Sequence, residues 1–391
     1  MRRFLSIAVI LVMVASGTGY WFYQRPLPAV HADPLVLQNP TSQAIKLPWP
    51  SYGQAAFGAV GYGVLDTNNT DLPVPIASIA KTITALAILK EKPFENATSS
   101  PMITITDADV KIFNDYFAKD GSVIPVVAGS QLSEYQALLA MMLPSANNIA
   151  DTAAIWAFGS VENYKTYANQ LVRSLGMAQT KIADASGFSP QTKSTAKDLV
   201  ILAETAMRSS VLAGIISQGE ANLPGVGVVH NVNWLLKTDG VVGIKTGNTD
   251  EAGGCFLFSA KRIISGRSVT VVGAVLGGPD RNQAMTDSLK LIKAGDKGFE
   301  LATPIRAKQV VGLYKLPWGG SVEAVASKDL QVLNWKGNAL TPDTNLAEIK
   351  SSSNRGDQVG TIKVAASDDK ELSVVLNQPL TKPSLRWRIF R

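Results

Sequence analysis

Pro75-Ile76-Ala77-Ser78-Ile79-Ala80-Lys81-Thr82 opens a run, Ile79 to Lys90, that is apolar nearly all round, the pattern of a helix buried in a domain core. Ser78 and Lys81 stand three residues apart at its head, so a helical backbone puts them on one face, about 5–6 Å apart at Cβ. A serine hydroxyl is a poor nucleophile until something removes its proton. A lysine can do so if burial or a second cation brings its pKa towards neutrality. A serine at a helix start also offers its own backbone N–H to a developing oxyanion. Taken alone, Ser-x-x-Lys equally fits an ordinary helix carrying a solvated lysine.

Two further motifs change the weight of the first. Ser145-Ala146-Asn147 lies in the break after Pro144, where a hydroxyl and an amide at i and i+2 can relay a proton and hold a substrate carbonyl. Helix capping is the plainer use of the same residues. Lys245-Thr246-Gly247 ends a hydrophobic strand, Val241 to Thr246, against which a peptide can lie as an added strand. Gly247 removes a side chain where a substrate backbone must approach. Lys245 and Thr246 can meet a carboxylate, and Lys245 can be the second cation that keeps Lys81 neutral; a strand end with a turn glycine is the bland alternative. Order and spacing matter more than any single member: Ser-x-x-Lys, Ser-x-Asn and Lys-Thr-Gly together are the set of penicillin-binding proteins and class A β-lactamases.

The rest of the chain sets the context. Its 391 residues suit two domains, and 46% hydrophobic with 17% charged residues excludes a disordered or fibrous protein. The net charge of +6 comes from scattered Lys and Arg, with no basic stripe interleaved with aromatics, so no nucleic-acid partner is expected. Two histidines, His31 and His230, and one cysteine, Cys255, are too few for a zinc site of that type; no metal and no cofactor is expected. Cys255, in the run Gly254 to Phe258, reads as a small buried hydrophobe.

At the N-terminus Arg2 and Arg3 precede an apolar stretch, Phe4 to Tyr23, long enough as a helix to cross about 30 Å of hydrocarbon. Positive charge before it directs the remainder outward. Residues 1–24 are therefore expected to be a membrane anchor or a cleaved signal peptide, and either way the working part is extracytoplasmic. Residues 25–45 read as a linker, 46–303 as the catalytic domain and 304–391 as a small all-β domain of alternating segments. Expected elements include a strand over Ala55–Leu65 with a turn at Asp66–Asp71, a capping box at Ser133 and Gln136, helices over Asn148–Phe158, Thr195–Met207 and Met285–Ala294, a hairpin around Ser265-Gly266-Arg267, and a last strand over Leu385–Arg391.

At this point the sequence resembles the low-molecular-weight penicillin-binding proteins that are serine-type D-alanyl-D-alanine carboxypeptidases. Besides the motifs, Gly176-Met177 through Asp184-Ala185-Ser186-Gly187, Ser194 to Leu199 and Gly243 to Gly253 are similar to that family over about Ala55 to Gly295. The resemblance implies an α/β (α+β) fold of the serine β-lactamase/transpeptidase kind, with an antiparallel sheet and a helical lobe, followed by the small β domain. It implies that Ser78 forms an acyl-enzyme, that Lys81 takes its proton, and that Ser145 passes a proton to the leaving D-alanine. Asn147 would orient the substrate, Lys245, Thr246 and Gly247 would bind it, and the N–H groups of Ser78 and Asn248 would hold the oxyanion. Arg281 is a further candidate for the terminal carboxylate. Peptidoglycan stem peptides are the implied substrates and β-lactam antibiotics the implied covalent inhibitors, with a role in cell-wall biogenesis and cell shape at the bacterial membrane. Departures from the family are Ala146 in place of Gly and Asn248 in place of His. The alternatives are a DD-endopeptidase, a β-lactamase, for which the Glu-x-x-Leu-Asn string is missing, and a non-catalytic wall-binding or penicillin-sensing protein.

Overall fold

A computed structural model of the chain describes residues 2–37, 41–349, 353–364 and 370–391. Two units separate: one comprises residues 1–44 with 300–391, the other residues 45–299.

The 45–299 unit is built on a five-stranded antiparallel sheet. In spatial order its strands are Val241–Thr249, Gly253–Ile264, Arg267–Gly278, Gln54–Ala59 and Gly63–Asn68. The two central strands, joined at Ser265 and Gly266, are long enough to pair from Ile264↔Arg267 to Gly254↔Gly278. The stretch expected as one strand over Ala55–Leu65 is two, because left-handed Gly61 (φ +86°) and Gly63 (φ +67°) turn the chain back on itself. Asp66–Asn68, expected as a turn, continues the second of them.

Helices cover the sheet and build the adjoining lobe. After α1 (Arg2–Gln24) in the other unit come α2 (Ala80–Glu91), α3 (Asp107–Phe117), α4 (Glu134–Met142), α5 (Asn147–Phe158) and α6 (Val161–Ser174). They are followed by α7 (Ala196–Arg208), α8 (Ser210–Ile216) and α9 (Arg281–Gly295). The core of the lobe is α2. Ile79, Ile83 and Ile88 are buried among Leu138, Ile149, Leu199 and Val172, each fully buried aliphatic side chain contributing about 1.5–3 kcal/mol. The expected capping box starts α4: Ser133 Oγ accepts from Gln136 N and Gln136 Oε1 accepts from Ser133 N.

The other unit carries a six-stranded sheet whose strands run, in order, Ala32–Pro34, Val310–Lys315, Ser321–Ala326, Lys370–Leu376, Gln358–Val364 and Pro342–Leu346. Its core includes Val311, Tyr314, Val332, Ile362 and Val374. Part of the segment expected as a linker thus belongs to a sheet: Ala32–Pro34 pairs with Gly312–Tyr314, and Val30 is buried opposite Ile349. The last segment is a correction. Leu385–Phe390 is a short helix, α10, not a strand, because Ser384 caps it by accepting from Trp387 N. Within the same unit Arg388 stacks on Tyr23 at 4.3 Å, which ties α10 to the end of α1. Ser6–Gln24 of α1 is long and apolar enough to cross a membrane, a property a signal sequence shares.

Candidate active site

Ser78 sits in a 3₁₀ turn, Ala77–Ile79, that leads directly into α2. Ala77 is held in the left-handed region (φ +45°), as is Ser145 (φ +69°) in the second motif. Such backbone costs on the order of 1–3 kcal/mol in a non-glycine residue and persists only where surrounding contacts over-determine it. Gly187 is one of those contacts. A Cβ there would lie 1.9 Å from the Ala77 carbonyl oxygen, so the 184–187 loop presses backbone-to-backbone on the turn before the nucleophile.

Lys81 is completely buried and its amine is fully committed. Nζ lies 2.7 Å from Asn147 Oδ1, 2.8 Å from the Ser186 carbonyl oxygen and 2.8 Å from Ser78 Oγ. The first two partners are pure acceptors and take two N–H bonds. A neutral amine has two hydrogens and one lone pair, so the remaining direction presents that lone pair to the Ser78 hydroxyl. Burial drives the Lys81 pKa down to about 7, while Asp184 and Asp151 pull it back up. Burial is the largest cause, acting against two carboxylates, and the like charge of Lys245 is coupled to Lys81 as well. Lys245 is itself pushed well below the usual lysine value by burial first, then by Lys81 and Arg281. Its Nζ reaches one acceptor, Thr246 O at 3.1 Å.

The third motif runs close past Ser78. A Cβ at Gly247 would lie 3.0 Å from Ala77 Cβ and 3.2 Å from Ser78 N, so glycine lets the Val241–Thr249 strand approach the Ser78 amide. A cleft of about 410 Å³ opens beside it, walled by Ser78, Asn147 and Asn248 together with Lys119, Asp250 and Glu251. Ser145, Lys245, Thr246 and Gly247 are buried and lie outside that wall. Among the described residues Ser145 Oγ has no hydrogen-bond partner, and Asn147 is the member of the second motif that bonds Lys81.

Sequence reading missed a second layer. Asp184, Ser186, Tyr116 and Asp151 form a hydrogen-bonded chain behind Lys81. Asp151 follows Asn147 by four residues on α5 and so shares its helix face, a signal available from spacing. Tyr116 on α3 gave none. Neither histidine competes as a base: His31 pairs with Glu348 and His230 with Glu220, all exposed. Burial drives the Cys255 thiol up to about 12, so it stays protonated and inert.

A buried lysine amine within 2.8 Å of a serine hydroxyl, beside a strand edge and a peptide-sized cleft, marks an enzyme of serine acyl transfer. Residues 60–279 match the family model described as D-alanyl-D-alanine carboxypeptidase, Peptidase S11. The chain is 28% identical over 253 residues to a D-alanyl-D-alanine endopeptidase of Pseudomonas aeruginosa, covering 63% of this chain and 77% of the relative. It is 25% identical over 308 residues to the D-alanyl-D-alanine carboxypeptidase DacA of Escherichia coli K12, covering 78% and 74%. Among solved structures, penicillin binding protein 5 of Haemophilus influenzae superposes with a TM-score of 0.63 at 22% identity, covering 87% of this chain and 99% of that one. The Streptomyces K15 DD-transpeptidase gives 0.57 at 24%, covering 64% and 99%. The fold is that of the serine penicillin-binding enzymes. The chain belongs to the D-alanyl-D-alanine carboxypeptidase family and is a serine peptidase of low-molecular-weight penicillin-binding type.

Proposed function

We propose that Ser78 is the nucleophile and Lys81 the general base of a carboxypeptidase that removes the terminal D-alanine from peptidoglycan stem peptides. The observation that carries this reading is the buried Lys81 amine, which stands 2.8 Å from Ser78 Oγ and is held by Asn147 Oδ1 at 2.7 Å and the Ser186 carbonyl oxygen at 2.8 Å, so that its neutral form turns a lone pair to the hydroxyl. Lys81 accepts the hydroxyl proton as Oγ bonds to the carbonyl carbon of the penultimate D-alanine. The backbone N–H groups of Ser78 and Asn248 hold the oxyanion. The C–N bond then breaks, the departing amine takes up a proton through Ser145, and water hydrolyses the ester. Asn147 orients the substrate, and the peptide lies along the Lys245-Thr246-Gly247 strand. A substrate carboxylate offsets the burial that disfavours charge on Lys245, and Arg281, whose buried Nε has no hydrogen-bond partner among the described residues, adds to that attraction. β-Lactams acylate the same hydroxyl. The α1 helix anchors the chain, with the catalytic unit on the outer face of the bacterial membrane.

The test uses the detergent-solubilised full chain with a pentapeptide ending in D-Ala-D-Ala and with a fluorescent penicillin. Released D-alanine, and a covalent label lost in Ser78→Ala, are expected; neither appearing ends the proposal. The relative named as an endopeptidase favours a second reading, in which the same residues cut cross-links. Faster cleavage of a cross-linked dimer than of the pentapeptide would establish it.

A further inference from the structure

Behind Lys81 four oxygens stand in line. Asp184 Oδ2 is 2.9 Å from Ser186 Oγ, Ser186 Oγ is 3.0 Å from Tyr116 Oη, and Tyr116 Oη is 2.9 Å from Asp151 Oδ2. Three contacts of that length need three hydrogens, but two hydroxyls supply only two. All three are hydrogen bonds at once only in the form in which one end carries an acid proton; with both carboxylates ionised, Tyr116 donates to Asp151 and Ser186 to Asp184. Asp184 is the poorer candidate: it also accepts from Ser189 N at 3.1 Å and from the Thr192 hydroxyl, the environment of an ionised carboxylate. Asp151 has no such company. Its Oδ1 is buried without any hydrogen-bond partner, and burial raises its carboxyl to about 6 against the opposing pull of Tyr116. With the proton on Asp151 every contact is satisfied in one direction: Asp151 donates to Tyr116, Tyr116 to Ser186, and Ser186 to Asp184. Phe188 N, at 3.2 Å, completes the acceptor capacity of Ser186 Oγ, and the Phe188 ring packs edge-on against Tyr116 at 5.5 Å.

The chain ends on a residue that touches the base. Ser186 holds its side chain in this relay and gives its carbonyl oxygen to Lys81 Nζ. We propose that Asp151 and Tyr116 are positioning residues for acylation, fixing the Ser186 carbonyl on Lys81 through this relay and tuning the protonation of Lys81 through the charge on Asp151. The proposal rests on the reading of Lys81 as the general base. The charged groups coupled to Lys81 are Asp151 from α5, Asp184 from the 184–187 loop and Lys245 from the Val241–Thr249 strand, while Tyr116 from α3 and Tyr164 from α6 face the two aspartates. Burial raises the Asp151 carboxyl to about 6. As pH rises and it ionises, its charge favours the ammonium form of Lys81 and delays the appearance of the free amine, so the two titrate as a pair.

The experiment is the rate of acylation by a fluorescent penicillin between pH 5 and 9, on the full chain. Asp151→Asn keeps a donor to Tyr116 but never ionises. Its acid limb is expected to move at least about half a pH unit lower than that of the unaltered chain, with the plateau within about threefold. Tyr116→Phe removes a hydrogen bond that stabilises the Asp151 carboxylate, so it is expected to move the limb the same way while lowering the plateau about tenfold; it carries the test alone if Asp151→Asn fails to fold. Limbs that coincide in all three proteins, whatever the plateau, reduce both residues to structural roles and overturn the proposal. An unaltered chain with no acid limb at all removes Lys81 as base, a different failure, and the proposal falls with it.

Discussion

Asn147→Asp tests the state of the base directly, because it replaces an amide oxygen by a carboxylate oxygen at the same place. Asn147 Oδ1 lies 2.7 Å from Lys81 Nζ. At that separation and an effective dielectric constant of about 20, a carboxylate would favour the ammonium form by up to about 6 kcal/mol. Burying the new carboxylate opposes most of this, leaving an upward shift of about 2 pH units, within the range seen for a close opposite charge. Lys81 stands at about 7 in the unaltered protein, so about half of it is neutral at pH 7. Moved to about 9, only about one molecule in a hundred keeps a free amine, and acylation at pH 7 slows about 50-fold. The deficit is conditional on pH: near pH 10 the amine is free in both proteins and the rates converge. Stopped-flow acylation with a fluorescent penicillin from pH 6 to 10 reads both features. A variant as fast as the unaltered protein at pH 7, or equally slow across the range, would refute the reasoning; the second result would mean that Asn147 acts on the substrate alone.

Lys245 is buried with a single acceptor, and its folded pKa lies well below 10.5, so the native state is penalised at any pH under 10.5 and increasingly as pH falls towards the folded value. Lys245→Met is expected to stabilise the protein at pH 7 by on the order of 1–2 kcal/mol, the gain vanishing as pH approaches 10.5, while peptide hydrolysis falls at least about tenfold; thermal melting at several pH values, showing a loss or a constant offset, would contradict this. Gly187→Ala would put Cβ 1.9 Å from the Ala77 carbonyl oxygen at a φ of +74°, so the nucleophile turn must move. Penicillin labelling is expected to drop by about 100-fold or more, and normal labelling would show that the turn tolerates displacement. Glu134 is wholly buried, both carboxyl oxygens lack partners, and burial raises it to about 8 despite Lys92. Its contribution is present at low pH and lost as pH climbs from about 4.5 through 8. Glu134→Gln should therefore hold a steadier Tm from pH 5 to 9 than the unaltered protein, and identical melting curves would count against a buried, rising Glu134.

Much of the site was legible because it is local. Ser78 and Lys81 share a helical face by spacing alone, the capping box of α4 is a four-residue pattern, and the hairpin at Ser265-Gly266 is written in its turn residues. Where local pattern misled, a neighbour far along the chain decided. The apolar run after Ala55 reads as one strand until two left-handed glycines fold it into a hairpin. The alternation of Leu385–Arg391 suits a strand or a helix equally, and the Ser384 cap with packing on α1 selects the helix.

From sequence alone came the Ser78–Lys81 pair, the Lys-Thr-Gly strand and the family, because each depends on residue type at short, fixed spacing. Tertiary structure decided how the base is kept neutral and what surrounds it. Burial lowers the lysine's pKa and carboxylates from α5 and the 184–187 loop oppose it, while the acceptors Asn147 and Ser186, drawn from positions 66 and 105 residues away, fix where its amine lies. A pKa is a sum over everything within a few ångströms, and no periodicity along the chain records which distant residues those will be.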